Sequence, residues 1–207
     1  MAIEDFTTYT EVDPNSHIGL VGTNHIDFDA YGNEDAYRYK DKGAGHFTDF
    51  EHKVDVRLIS GSEDYCYGGC WMLSNDIDDI NGLCTAGKSN LHIRVGRWPT
   101  DQAWILLDEN YLGTHYYTYY VGIYNTWYYL TIKKTGTALE CEIYSDSART
   151  NLLSTLALTL HDTYNFRYIF AAATYNENQA RVAVLDIENL DLQEAPAVGP
   201  SRAYIIG

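Results

Sequence analysis

The sequence predicts an all-β domain of two packed antiparallel sheets with little or no helix. Three observations predict it. Apolar and polar side chains alternate with period two along most of the chain. Aromatic residues make up 14% of it, 19 of them Tyr. Clusters of Gly, Asn, Asp and Ser recur between the alternating runs, as turns between strands require.

The elements follow in order. Residues 25–30 place Ile26 and Phe28 on one face. Residues 50–59 are the clearest case: Phe50, His52, Val54, Val56 and Leu58 share one side, and Glu51, Lys53, Asp55 and Arg57 the other. A helix would scatter those apolar side chains around its circumference, whereas a strand gathers them on one face. Each such side chain gains about 1.5–3 kcal/mol on burial, so the strand requires a facing sheet. The pattern returns at Leu91, Ile93 and Val95, over residues 127–133, at Leu139, Cys141 and Ile143, and over residues 166–172 and 182–192. Turn signals separate them, among them Tyr31-Gly32-Asn33, Ser60-Gly61-Ser62, Asn81-Gly82 and Lys134-Thr135-Gly136. A short helical turn is admitted at residues 152–156. Residues 1–193 are read as the domain. Residues 194–207 are read as an extended Pro- and Gly-containing tail whose apolar end, Tyr204, Ile205 and Ile206, needs a surface to lie on, by preference a neighbouring subunit.

The formal charge of −15, from 29 acidic and 14 basic side chains, repels phosphate backbones and anionic lipid, which excludes nucleic acid and membrane as partners. No apolar run is long enough for a spanning helix, and the N-terminal residues show no signal-peptide pattern. The expectation is cytoplasmic synthesis followed by residence on a virion surface or outside the cell.

Several motifs are tested against their chemistry. Residues 82–89 spell the phosphate-loop pattern, but the acidic Asn75-Asp76-Ile77-Asp78-Asp79-Ile80 precedes them and a strand pattern follows, so no helix N-terminus would receive phosphates. Retaining glycan hydrolysis requires two carboxylates about 5–5.5 Å apart. The near pairs Glu140/Glu142 and Asp186/Glu188 are expected to face solvent. A calcium loop beginning at Asp27 and Asp29 fails because Arg38 stands where Glu closes such loops. Asp76, Asp78 and Asp79 could supply hard oxygens for Ca2+ or form a solvated acidic loop. Cys141 reads as a core thiol. Cys66, Cys70 and Cys84 leave open a disulfide or a set of metal ligands. The densest feature is aromatic: Tyr116, Tyr117, Tyr119, Tyr120, Tyr124 and Trp127 fall within twelve residues. Alternation sends half of such a set to each face, leaving one half to stack on sugar rings or anchor a protein partner.

The stretches Asp35-Ala36-Tyr37-Arg38-Tyr39-Lys40-Asp41, Gly43-Ala44-Gly45-His46-Phe47, Trp127-Tyr128-Tyr129-Leu130-Thr131-Ile132-Lys133 and Tyr168-Ile169-Phe170-Ala171 resemble the concanavalin A-like lectin/glucanase superfamily in its laminin-G-like branch. The resemblance spans roughly residues 5–192. It implies a jelly-roll sandwich of the kind used on phage surfaces or as glycan-binding modules. The Glu-x-Asp-x-x-Glu string of the enzyme branch is missing. The resulting expectation is a non-enzymatic structural protein of a larger assembly, a virion decoration or fibre component partnered by other protein subunits as a homo-oligomer or shell. A carbohydrate-binding module using the Tyr/Trp face is the alternative, and a glycan hydrolase with a non-standard acid pair the third reading.

Overall fold

The computed structural model of the protein describes residues 3–99 and 101–194. A short 3-10 turn, Phe6–Thr8, precedes fourteen strands: β1 (Thr10–Val12), β2 (Ile18–Leu20), β3 (His25–Tyr31), β4 (Tyr37–Asp41), β5 (Phe50–Gly61), β6 (Cys66–Ser74), β7 (Asn90–Trp98), β8 (Gln102–Tyr111), β9 (Thr114–Gly122), β10 (Trp127–Thr135), β11 (Ala138–Tyr144), β12 (Leu152–Thr159), β13 (Tyr168–Thr174) and β14 (Val182–Asp191). Among the described residues one helix, α1 (Ile80–Thr85), interrupts them. That helix is neither long nor apolar enough to cross a membrane.

The strands form two seven-stranded antiparallel sheets. Sheet I runs β12-β11-β10-β5-β14-β3-β2, and sheet II runs β1-β4-β13-β6-β7-β8-β9. Between them lies one apolar layer. Sheet I contributes Ile26, Phe28, Val54, Val56, Leu130, Ile132, Cys141 and Leu185. Sheet II contributes Trp71, Leu73, Leu91, Ile93, Ile105 and Leu107. The alternation read over residues 50–59 survives, with His52 inside it at 1% exposure. Its imidazole is tolerated there because Nδ1 accepts the Trp71 indole N–H at 3.1 Å and burial drives its pKa down to about 3, holding the ring neutral.

Hairpin β8–β9 turns through Leu112-Gly113, both at positive φ (50° and 88°), the conformation a tight two-residue hairpin demands. Leucine is an unusual occupant and gave no turn signal. The helical turn admitted at residues 152–156 is instead the start of β12, an edge strand held to β11 across Cys141–Leu156 and Glu142–Thr155. Conversely, the acidic run before Gly82 carries a helix. Asp79 caps α1 by accepting the Asn81 and Gly82 backbone N–H groups. After Ser89 the chain enters β7 and no helix, so the phosphate-loop pattern has no phosphate cradle.

The cysteine alternatives resolve against both pairing and shared ligation. All four thiols are free. Cys66 and Cys70 point into the inter-sheet layer, whereas Cys84 sits on α1 and donates to the Gly113 carbonyl at 3.4 Å. Tail residues Tyr204, Ile205 and Ile206 lie outside the described residues.

Gly68 marks how closely the sheets approach, since a Cβ there would stand 2.3 Å from Leu185 Cδ1 and 2.7 Å from Ala30 Cβ. Gly68→Ala is expected to lower stability by about 1–3 kcal/mol through overpacking, read as a reduced urea midpoint at unchanged slope.

Candidate functional site

On the outer face of sheet I Asp55, Thr131 and Asp186 are buried among side chains that mostly keep some exposure, whereas the outer face of sheet II is covered far more fully. Strands β6, β7, β8 and β13 are buried on both sides over most of their length. Over β6 and β13 the cover is α1: Ile80 and Leu83 pack with Met72, Phe170, Tyr37 and Ala173 into a second apolar cluster. Beyond α1 the cover changes to rings and charges.

Alternation places His92, Arg94, Gly96 and Trp98 of β7 outward, because Leu91, Ile93 and Val95 take the inward positions. On β8 the outward residues are Trp104, Leu106 and Asp108, and on β9 His115, Tyr117, Tyr119 and Val121. Three of these rings form a ladder across the strands. Trp98 stacks on Trp104 with centroids 4.4 Å apart and planes at 15°, and Trp104 stacks on Tyr119 at 3.8 Å and 23°. Tyr65 meets the far side of Trp98 edge-on at 5.0 Å. Trp104 is covered from both sides, but Tyr119 and Tyr117 keep 47% and Tyr65 keeps 44% of their surface open. A depression of about 480 Å³ lined by Ser62, Glu63, Asp64, Tyr65, Arg97 and Arg181 adjoins the Tyr65 end.

Beside the ladder lies a buried charge network. Asp108 has no exposed surface. One of its carboxylate oxygens takes a close hydrogen bond from Arg94 Nη2, and the other accepts from His115 Nδ1 at 2.9 Å. Burial alone would raise the Asp108 pKa, but His92, Arg94 and His115 outweigh it and hold the group well below the usual carboxylate range. The Arg94 guanidinium lies over the rings of Tyr175 (4.5 Å) and Tyr67 (5.1 Å). His92 is fully buried, and burial pushes its pKa down to about 3 against the pull of Asp108.

The aromatic stretch read from the sequence divides along these lines. Tyr117 and Tyr119 join the outer face of sheet II. Tyr116 and Tyr120 point the opposite way, Tyr116 against His161 and Tyr120 against Tyr128. Tyr124 packs on the core. Trp127 begins β10 in sheet I, on the far side of the molecule, under Arg57 at 4.9 Å. The six therefore form no single face. Trp98, Trp104, Tyr65, Tyr67 and Tyr175 were missed because they are scattered over more than a hundred residues. Two signals were available: the alternation of Leu91, Ile93 and Val95 gives Trp98 outward parity, and Trp98 and Trp104 flank a short loop.

The acidic residues also part. Asp76 pairs with Lys88 at 3.1 Å, Asp78 accepts the Asp79 N–H at 2.9 Å, and Asp79 is spent on capping α1. They do not converge as metal ligands. Among the described residues two groups do bring ligand atoms within 4.8 Å of one another: His92, Asp108 and His115 on sheet II, and His25, Asp27 and Asp186 on sheet I. Asp186, expected at a solvated face, is 3% exposed because Arg57 covers it. Glu140 faces solvent as read, and Glu142 is held by Lys133 at 2.9 Å.

No family model and no curated protein matches this chain. Solved structures do. The legume lectin-like domain from Entamoeba histolytica aligns with a TM-score of 0.57 at 16% identity, covering 88% of this chain and 89% of that one. The fold is the concanavalin A-like jelly roll. The VIP36 exoplasmic/lumenal domain, in a Ca2+/Man-bound form, aligns at 0.56 with 9% identity over 92% and 84% of the two chains. The alginate lyase from Klebsiella pneumoniae aligns at 0.57 with 8% identity over 87% and 85%. The same jelly roll thus serves binding proteins and enzymes, and at these identities the likeness is one of fold alone.

Asp79 yields a pH prediction. Burial raises its carboxyl to about 7, against the lowering hydrogen bonds from the Gly82 and Asn176 N–H groups and with Asp35 raising it further. A carboxyl raised on folding favours the native state while protonated and loses that contribution as pH climbs through the folded value. Stability is therefore expected to decline between about pH 4 and 7. Asp79→Asn, which still caps α1 through its amide oxygen, should flatten that decline in chemical-denaturation series.

Proposed function

We propose that the protein binds a glycan of uncharged sugars on the outer face of sheet II. The Trp98–Trp104–Tyr119 ladder carries the reading. Stacked rings are rigid, so they offer apolar area at small entropic cost, and Tyr119, Tyr117 and Tyr65 present what the stack leaves open. Asp64 and Arg97, paired at 3.2 Å beside Tyr65, supply polar partners for hydroxyl groups. The net charge of −15 selects against acidic polysaccharides. The reading is one of binding without turnover.

A second reading, a subunit of a larger particle, is favoured by β9. It is an edge strand of nine residues with no acidic side chain, Lys, Arg or Pro to discourage pairing with another chain. Sedimentation as a discrete oligomer would favour it, and a monomer at high concentration would count against it.

Screening on an array of neutral glycans followed by calorimetry tests the first reading. Tyr119→Ala and Trp98→Ala should each weaken binding by roughly tenfold, about 1–1.5 kcal/mol. Trp127→Ala, on the opposite sheet, should leave affinity unchanged. Equal losses in all three variants, or new chain ends released from a bound glycan, would overturn it.

A further inference from the structure

We propose that His92, Asp108 and His115 form a binding site for a divalent transition-metal ion, with Zn2+ as the representative case. The strands build the triangle. His92 on β7 stands directly across from Asp108 on β8, and His115 on β9 stands across from Asn110, one outward position along. His92 Nε2 lies 3.6 Å from Asp108 Oδ2, and His115 Nδ1 lies 2.9 Å from Asp108 Oδ1. Ligands held at about 2.0–2.2 Å around one tetrahedral zinc lie roughly 3.3–3.6 Å from one another. The His92 pair already stands at that spacing, whereas the His115 pair, in direct hydrogen bond at 2.9 Å, must open by a few tenths of an ångström to admit an ion.

The protonation of His92 points to what is bound. Asn90 directs its amide nitrogen at the Lys88 carbonyl, 3.4 Å away, and its oxygen at His92 Nδ1, 2.7 Å away. The Nδ1 atom must therefore carry the ring's proton, which leaves Nε2 with a bare lone pair. That atom is buried and has no hydrogen-bond partner. A lone pair facing a carboxylate with no proton between them is an unfavourable arrangement, and a cation between the two would reverse it.

The outer contacts fit the same role. Ligating histidines characteristically donate their other ring N–H to a fixed acceptor. For His92 the acceptor is Asn90. For His115 to ligate through Nδ1, the ion must displace the proton that Nδ1 gives to Asp108, and Nε2, which then carries the ring's proton, lies 3.4 Å from the Tyr175 hydroxyl. Arg94 grips Asp108 and orients it. Its positive charge also opposes the ion, so the affinity should fall below that of an all-neutral His2Asp set. His115, partly exposed, marks the side from which an ion enters. None of this rests on the glycan reading.

The test uses the whole chain, stripped with chelator and titrated with Zn2+ alone. One saturable equivalent is expected, and Co2+ in its place should give the intense visible bands of a four-coordinate site. His115→Ala and His92→Gln should each weaken Zn2+ binding by about tenfold or more, whereas His25→Ala, in the group on sheet I, should not. Should the buried His92→Gln variant fail to fold, imidazole nitrogen NMR of the unsubstituted protein decides the matter. Zn2+ must shift the ring signals of His92 and His115 and spare those of His25. Absence of saturable binding, or binding abolished by His25→Ala and untouched by His115→Ala, would overturn the proposal.

Discussion

Two sheets can share one apolar layer only while every strand keeps its parity, and β6 is one of the strands that depart from that rule, as its neighbour β13 does between Phe170 and Ala172. The register against β7 shifts between Gly69 and Trp71, so Cys70 and Trp71, adjacent in sequence, both enter the inter-sheet layer. Trp71 thereby reaches His52 of the opposite sheet, and Met72 is turned outward. An outward Met on a central strand needs cover, which α1 supplies with Ile80 and Leu83. The β6 bulge thus accounts for the polar pair inside the core, and together with the β13 shift, across which Phe170 and Ala173 both face outward, it creates the apolar surface that the helix covers.

Once the outer face of sheet II is itself an apolar layer, polar groups on it are desolvated as fully as groups in the core. That is why Asp108 can be without exposure on a face pointing away from the sandwich. Removing a carboxylate from water costs several kcal/mol unless donors replace the lost hydration. Arg94 and His115 replace it, and Tyr67 and Tyr175 screen the guanidinium in turn. The ring ladder and the charge network are neighbours for one reason: both occupy the part of the face that α1 does not reach.

The inner layer was legible in the sequence because one buried face and one wet face leave a period-two trace, as at Val54, Val56 and Leu58. Burial on both faces erases that trace. Residues 66–74 and 102–111 read as continuously apolar or mixed, so nothing local distinguished the outward Trp104 from the inward Ile105. The compact cluster of six aromatics was misleading for the opposite reason. Proximity in sequence concealed the turn at Ile123–Asn125, where Asn125 takes positive φ and the chain leaves sheet II for sheet I, taking Trp127 with it. The halving of Tyr116 to Tyr120 between two faces followed from alternation and was read correctly. The helix α1 was obscured by Gly82, a poor helix former, although the capping Asp79 three positions earlier was a usable signal.

The ladder depends in turn on a residue that contributes no side chain to it. Gly96 lies on the outward row of β7 between Arg94 and Trp98, opposite Trp104. A Cβ there would stand 2.0 Å from the Cys66 carbonyl oxygen and 2.5 Å from Tyr67 Cδ1. The bare backbone lets β6 close on β7 and lets the Tyr67 ring settle into the gap, where it meets Arg94 on one side and lies 6.4 Å from Trp98 on the other. The aromatic surface and the buried charges therefore share a hinge point at which size, not chemistry, is what the sequence specifies. A side chain at 96 would force apart the two halves of the site together.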